Sequence, residues 1–352
     1  METEQPLLMI YGANGYSAKL IIEELISKGI RPILAGRSET DLKQLSQLYK
    51  CEYRSFDLND ESTVVASIED VHTVLNCAGP FLHTAKDLME ACLISKTNYI
   101  DITGEMPVMH LAFSLERKAR EKGIVFLPSA GFDIILTDCL AKRLSEKMPD
   151  ATHLKLCLIN KGGKISRGTM LTTLEFLGES GKIRRNGKVI NSKIGEFTID
   201  FEKEGFSFRG ISIPWGDVYS SYHSTGIENA EVYLAVSGFV MMFKSVILFL
   251  LKLLKFKFIK NIVAEYIKKN MTGPTKAERD SAETFIWGRV EYAEGDMIEE
   301  IYQVKEGYTL TAEGAAICAM RILNNEIKPG TYTPSLAFGS EFLDLFTIRK
   351  VL

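Results

Sequence analysis

The segment Gly12-Ala13-Asn14-Gly15-Tyr16-Ser17-Ala18 follows directly on the apolar run Leu-Leu-Met-Ile-Tyr (7–11) and opens an amphipathic stretch that ends at Gly29. Its spacing is G-x-x-G-x-x-A. Gly12 permits a tight turn, Gly15 lets a phosphate approach the backbone, and the small Ala18 lets helix and strand pack closely. A pyrophosphate placed there would meet the unpaired N–H groups of a helix N-terminus. Gly12, Asn14, Gly15, Tyr16 and Ser17 are therefore the candidate phosphate-binding residues. Glycine turns are common, and this one gains its weight from lying in the first strand-to-helix turn of a chain that keeps alternating.

The second apolar run, Pro32 to Gly36, ends in Arg37 and Ser38, and Arg37 lies 22 residues beyond Gly15. An acidic side chain at that place would hold the ribose hydroxyls of NAD. A guanidinium and a hydroxyl suit a 2′-phosphate instead. NADP(H) is the expected cofactor, with NAD(H) second and Glu39 the nearby acid that could compete. Asp57, at the end of the third run, could cap the next loop or touch the adenine. Cys77, Ala78, Gly79, Pro80 and Phe81 follow the fourth run, where the backbone usually passes beside the cofactor. Cys77 reads as a small core residue rather than a redox thiol.

Hydride transfer needs the nicotinamide held against an electrophilic carbon, with a donor to stabilise or protonate the developing anion. In a doubly wound sheet that crevice lies beyond the carboxyl ends of the strands. Phe81, His83, Asp101, Thr103, Gly104, Glu105, Phe132 and Asp133 fall there. Gly104 is a further cofactor-side candidate. Glu105 could orient the nicotinamide ribose, or act as an acid if burial raises its pKa, with capping of the following helix as the alternative. Asp133 is expected to cap a helix starting at Ile134, and Asp101 to serve the local backbone. Farther on, Tyr219, Tyr222 and His223 stand in the run YSSYHST. Tyr222 and His223 are candidate proton donors, and a strand-face tyrosine pair packed in the core is the plainer reading. Arg167, beside a helix start, suits an anionic substrate group. Five scattered histidines without an H-x-x-x-H pair give no metal site.

These residues need elements to position them. Six short apolar runs between Leu7 and Gly131 alternate with helical-period segments, among them Ile21, Ile22, Leu25 and Ile26 on one stripe, with Gly29 placed as a C-terminal cap. That alternation predicts right-handed βαβ crossovers and an α/β fold built on a doubly wound parallel (Rossmann) sheet. Beyond Met148 the rhythm changes. Residues 153–159 read as a strand and 168–180 as a helix, and 183–240 as a mixed or antiparallel sheet. Residues 311–325 form a helix opened by Thr311. The expected organisation is a Rossmann domain over 1–147, an α+β substrate and dimerisation domain over 148–310, and a helix and tail over 311–352 packing back on the first domain.

Composition narrows the function. Among 352 residues, 42 basic and 45 acidic side chains give a formal net charge of −3, which removes the electrostatic case for a nucleic-acid partner. Six cysteines without a C-x-x-C pair suggest neither a zinc site nor a disulfide scaffold, so a reduced cytoplasmic setting is expected. The acidic start METEQP shows no signal peptide. Val232 to Leu251 carries a single charge, Lys244, over a length that could span a bilayer. A central lysine disfavours spanning by roughly 2.5–3.5 kcal/mol. Read as one helix, the segment places Lys244, Lys252 and Lys255 within about 80° of one another, beside a wide apolar surface. Core or dimer-interface packing, peripheral membrane contact through 232–254, and a true span are the three roles open to it.

With these motifs placed, the sequence resembles the saccharopine dehydrogenase-like oxidoreductases, in particular the branch containing trans-acting enoyl reductases. The resemblance rests on YGANGYSAKL, AGRS, NCAGPF, EACLISKTNYIDITGE, SAGFDIILTD, SRGTMLTTLE, GPTKAERD, EGYTLTAEGAA and PGTYTPSLAFG, in order along nearly the whole chain. It implies a nicotinamide cofactor, an N-terminal Rossmann domain and an α/β second domain. The chain departs from the enoyl-reductase branch at Phe81, where that branch usually has a tyrosine, and at Met106-Pro107-Val108. The leading expectation is an NADPH-dependent reductase of a hydrophobic or lipid-linked enoyl or carbonyl substrate, acting as a homodimer. An amino-acid-type dehydrogenase resembling saccharopine reductase and a non-catalytic cofactor-binding scaffold are the alternatives. A short-chain dehydrogenase is disfavoured because no Tyr-x-x-x-Lys couple appears.

Overall fold

The computed structural model describes residues 6–177, 179–346 and 348–352, without the side chain of Asp133. Met1–Gln5, within which the acidic start falls, lie outside it. The described residues form two compact units: those from 6 to 135 with 307–337, and those within 136–306 with 338–352.

The first unit opens with β1 (Leu8–Tyr11), α1 (Tyr16–Ser27), β2 (Ile33–Gly36), α2 (Glu39–Tyr49), β3 (Tyr53–Ser55), α3 (Glu61–Ile68) and β4 (Thr73–Asn76). It continues through α4 (Ala85–Ser95), β5 (Asn98–Asp101), α5 (Met106–Ser114), α6 (Glu116–Lys122) and β6 (Val125–Leu127) to the start of α7 (Phe132–Lys147). Strands β1, β2, β4 and β6 are buried at every position, the near-continuous apolar reading of a sheet covered on both faces. On α1, Ala18, Ile21, Ile22 and Leu25 recur three and four residues apart and are all buried. Each aliphatic side chain removed from water contributes roughly 1.5–3 kcal/mol, so this stripe fixes the helix whose N-terminus matters below.

The second unit contains β7 (His153–Lys161), α8 (Arg167–Phe176), β8 (Gly181–Arg185), β9 (Lys188–Ser192), β10 (Thr198–Lys203), β11 (Phe206–Ser212), α9 (Asp217–Thr225) and β12 (Asn229–Ala235). After it come α10 (Gly238–Met242), α11 (Lys244–Leu251), α12 (Lys257–Asn270), α13 (Lys276–Ser281), β13 (Glu283–Glu291) and β14 (Met297–Val304). The chain then returns to the first unit as α14 (Gly307–Leu323) and β15 (Gly330–Thr331), and ends through α15 (Pro334–Phe338) and β16 (Arg349–Lys350).

The first unit's sheet has the order β15-β6-β5-β4-β1-β2-β3, all parallel, which is the doubly wound Rossmann arrangement expected from the alternation. The second sheet is mixed. Its main path runs β10-β11-β12-β7-β13-β14-β16, with β12 and β7 parallel and the other neighbours antiparallel, while β8 joins β12 and β9. In its core Phe201 stacks on Phe208, and Trp287 packs edge-on against both.

Several local expectations change. The last long helix starts at Gly307, four residues before Thr311. Thr311 lies inside it, and its Oγ1 accepts the N–H of Phe132 at 3.0 Å. Helix α7 already includes residue 133, so it does not start at Ile134. The side chain of Asp133 lies outside the described residues. YSSYHST is helical, not a strand face. Residues 232–254 are not one helix: Val232–Ala235 belong to β12, and α10 and α11 meet at Phe243. Among the described residues, no helix is long and apolar enough to cross a membrane.

Candidate functional site

The turn after β1 is built so that only glycine fits at position 12. Gly12 has φ +82°, and a Cβ there would lie 2.8 Å from the backbone nitrogen of Ala78. The N–H groups of Gly12 and Ala13 both donate to Ala35 O (2.8 and 3.1 Å), and Gly15 N–H donates to Gly12 O (2.9 Å). This folds the turn against the end of β2. Helix α1 then begins with Gly15 as its N-cap, so no side chain caps the first-turn amides, and no acidic residue occupies that turn. Amide donors and the positive end of the helix dipole thus favour an anion. Asn14 is held to one side by donating to Asp41 Oδ2 (2.9 Å). Tyr16 packs edge-on against Tyr308, with centroids 5.0 Å apart.

At the end of β2, Arg37 is exposed and forms no salt bridge among the described residues. Ser38 is the N-cap of α2, its Oγ accepting from Asp41 N–H at 3.4 Å, which leaves its own proton to donate. Glu39, the possible competitor, pairs with Lys43 at 2.8 Å. Asp57 caps its own loop, Oδ1 accepting from Asn59 N–H at 2.9 Å. Both Arg37 and Asp57 act on Tyr11. Burial first, and Asp57 second, raise that phenol to about 12, while the Arg37 guanidinium opposes them.

Beyond β4 the backbone is held by buried polar side chains. Asn76 is fully buried; its Nδ2 donates to Thr84 Oγ1 (3.1 Å) and Tyr99 Oη (3.2 Å), and its Oδ1 accepts from Ala78 N–H (2.9 Å). The Gly79–Pro80 peptide is cis. Residues 81–83 form a single 3₁₀ turn, and the Phe81 ring belongs to the core. The Cys77 thiol is half-buried, and desolvation pushes it far above its ordinary range.

Glu105 does something the sequence did not suggest. It is the N-cap residue of α5, yet its side chain makes no capping bond. Instead Oε1 accepts Phe81 N–H and Oε2 accepts Leu82 N–H, both at 2.8 Å, with the residue almost wholly buried. One carboxylate thus clamps the 3₁₀ turn beyond β4 to the loop beyond β5 across 24 residues of sequence. That loop includes the half-buried Gly104. Asp101 serves the backbone in a similar way: Oδ1 accepts the N–H groups of Thr103 (3.0 Å) and Ser129 (2.8 Å), and Oδ2 accepts Tyr99 O–H (2.9 Å). Burial raises its carboxyl to about 6, and these three donors hold it lower than burial alone would. Neither Asn76 nor this use of Glu105 was assigned from sequence. Their only sequence signal is a polar residue at each strand end.

In the second unit, Tyr222 and His223 lie exposed on α9. The Tyr222 ring covers the Arg184 guanidinium at 4.5 Å. Arg184 is buried and donates to the carbonyls of Val218 (3.0 Å), Gly187 (2.6 Å) and Tyr219 (3.3 Å). Desolvation lowers its pKa. Arg167 is exposed at the start of α8, whose N-cap is Ser166. Among the described residues no group of three or more metal-ligating side chains occurs.

A parallel doubly wound sheet, a glycine turn at an open helix N-terminus and a basic residue just beyond the second strand are together the features of a dinucleotide-binding unit. Residues 8–127 match the family model described as the saccharopine dehydrogenase NADP binding domain. The chain is similar to the "Saccharopine dehydrogenase-like oxidoreductase" of Rattus norvegicus at 26% identity, covering 96% of this chain and 94% of that protein. The Homo sapiens protein of the same description is 25% identical with the same coverage. The family resemblance carried by the sequence motifs is thereby shown along nearly the whole chain. Likeness to the "Trans-acting enoyl reductase" of Mycobacterium leprae is partial: 28% identity over 43% of this chain and 38% of that one. Among solved structures, apo saccharopine dehydrogenase (L-Glu forming) of Saccharomyces cerevisiae shares the fold, with TM-score 0.68 and 14% identity over 99% of this chain and 100% of that one.

Proposed function

We propose that the protein is an NADP(H)-dependent oxidoreductase, with hydride passing from NADPH to a hydrophobic enoyl or carbonyl substrate. The observation that carries the cofactor preference is Arg37: an exposed guanidinium at the end of β2 without a salt bridge among the described residues, its neighbouring acid Glu39 already paired with Lys43. Around it, the residues fit the cofactor. Gly12 and Gly15 bring the backbone close to a pyrophosphate, the uncapped N-terminus of α1 supplies amide donors, and Arg37 with Ser38 suits a 2′-phosphate. The cofactor, when bound, supplies the hydride.

The protein's own part in this reading is positional. Asn76 holds Ala78, and Glu105 holds the amides of Phe81 and Leu82, so the backbone beyond β4 has one arrangement. Glu105 is accordingly a positioning residue. The partial likeness to an enoyl reductase supports an enoyl substrate.

Calorimetric titration with NADPH and with NADH tests the cofactor, and loss of reduced-nicotinamide absorbance with long-chain enoyl and keto esters tests the reaction. Selective NADPH binding followed by substrate-dependent oxidation is the expected result. Failure to bind either nucleotide would overturn the reading.

A further inference from the structure

Half of the large hydrophobic side chains exposed among the described residues fall in one segment of 28 residues, 239–266. Phe239, Met242, Phe243, Val246, Phe249, Leu250 and Leu253 recur three and four residues apart along α10, α11 and the 3₁₀ turn after them, and all are exposed. Phe256, Phe258, Ile262 and Tyr266 continue the exposed set into α12. Phe249 is 65% and Phe258 76% accessible. An ordinary soluble helix turns such a stripe inward; here the stripe faces solvent.

The opposite face of the arm anchors it to its own unit. Lys244 Nζ donates to Gly195 O at 3.0 Å, and Leu248 lies against Gly195. Lys260 pairs with Glu175 on α8 at 2.6 Å, and Ile267 is buried. This corrects the sequence-based picture of one cationic stripe. Lys244 points inward, while Lys252, Lys255, Lys257 and Lys269 are exposed and form no salt bridge among the described residues.

Charge decides what can cover the face. Residues 237–270 contain seven lysines and a single acid, Glu265, in a chain whose formal net charge is −3. A second copy seated symmetrically on the same patch would set these lysines against their own counterparts. An anionic lipid surface accepts both features at once, taking the phenylalanines below its headgroups and the lysines among them. We infer that residues 238–266 form an interfacial docking surface for an anionic phospholipid bilayer, lying on it without crossing it. The docking surface goes beyond the cofactor reading and does not depend on it.

The test is co-sedimentation of the full chain with vesicles of phosphatidylcholine alone or with about one third phosphatidylserine, at low and high salt. Binding to the anionic vesicles that weakens with salt is expected. The variant Lys252→Glu/Lys255→Glu/Lys257→Glu should bind on the order of a hundredfold more weakly, at roughly fivefold per lysine near the surface. The variant Phe249→Ser/Phe258→Ser should lose about tenfold or more per ring. All these positions are exposed, so thermal melting and NADPH titration of both variants should match the parent. No binding by the parent at low salt, or equal binding by the charge-reversed variant, would overturn the inference. So would a parent dimer that ignores vesicles and that the Phe249→Ser/Phe258→Ser change dissociates, which would make the face a contact between copies.

Discussion

Arg37→Ala isolates the proposed 2′-phosphate contact. The guanidinium follows β2 directly, is exposed, and among the described residues forms no salt bridge that would have to break first. The carboxylate of Glu39 is occupied by Lys43, and that of Asp57 by the N–H of Asn59. A charge-assisted hydrogen bond of this kind contributes about 1.5–3 kcal/mol, and solvent exposure with salt screening takes it toward the lower end. A loss near 1.5–2 kcal/mol corresponds to roughly a 10- to 30-fold rise in Kd for NADPH. NADH, with no phosphate at that place, should bind the variant within about twofold of the parent. Arg37→Lys keeps the charge without the planar fork and should fall between the two. The assay is calorimetric titration of all three proteins with both nucleotides at two salt concentrations. Equal losses for NADPH and NADH would refute the argument, since a group that touches only the 2′-phosphate cannot affect both.

Gly12→Ala should destabilise the protein by about 2–4 kcal/mol in thermal unfolding, because the new Cβ meets Ala78 backbone at 2.8 Å in a positive-φ conformation. Glu105→Gln replaces one acceptor of the Phe81–Leu82 clamp by an NH₂ group facing an N–H donor; urea denaturation should show a loss of about 1.5–3 kcal/mol, together with weakened binding of both nucleotides. Burial raises the Asp101 carboxyl from the ordinary carboxylate range to about 6 in the folded protein. Its contribution therefore favours folding most at low pH and is lost as pH rises through that window, by about 3 kcal/mol at most. Subtracting the stability-versus-pH curve of Asp101→Asn from that of the parent should leave this falling step between about pH 4 and 6, and a flat difference would refute it.

The Rossmann half was legible because its signals are local. Glycine at a forced turn, apolar residues at helical spacing and a basic residue at a strand end each act within a few residues of themselves. The clamp at Glu105 was not legible for the opposite reason: its partners lie 24 and 23 residues away, and nothing in the chain beside it points there. Capping was a sound local expectation that a non-local pair of amide donors outcompeted. YSSYHST misled because tyrosine, serine and threonine suit strands as well. The overlooked signal was Gly226, left-handed at the helix C-cap. In 232–254 a hydropathy window merges a buried strand end with two exposed helices. Ser237, whose Oγ accepts Val240 N–H at 3.4 Å as the N-cap of α10, marks the break.

The polar residues at the carboxyl edge of the first sheet share one property. Asn76, Asp101 and Glu105 are all buried, and the partners seen for their side chains are backbone N–H groups and neighbouring hydroxyls. Groups so engaged fix where the backbone runs, and the charge of Glu105 is spent on two amides. The departure at Phe81 belongs to the same logic. Its ring lies in the core while its N–H is the group Glu105 holds. A tyrosine replaced by phenylalanine there loses a hydroxyl and keeps the clamp, because the clamp runs through the main chain. Binding geometry and side-chain chemistry are thus separable at this position. A change of side-chain chemistry at position 81 therefore leaves the backbone beyond β4 held as it is.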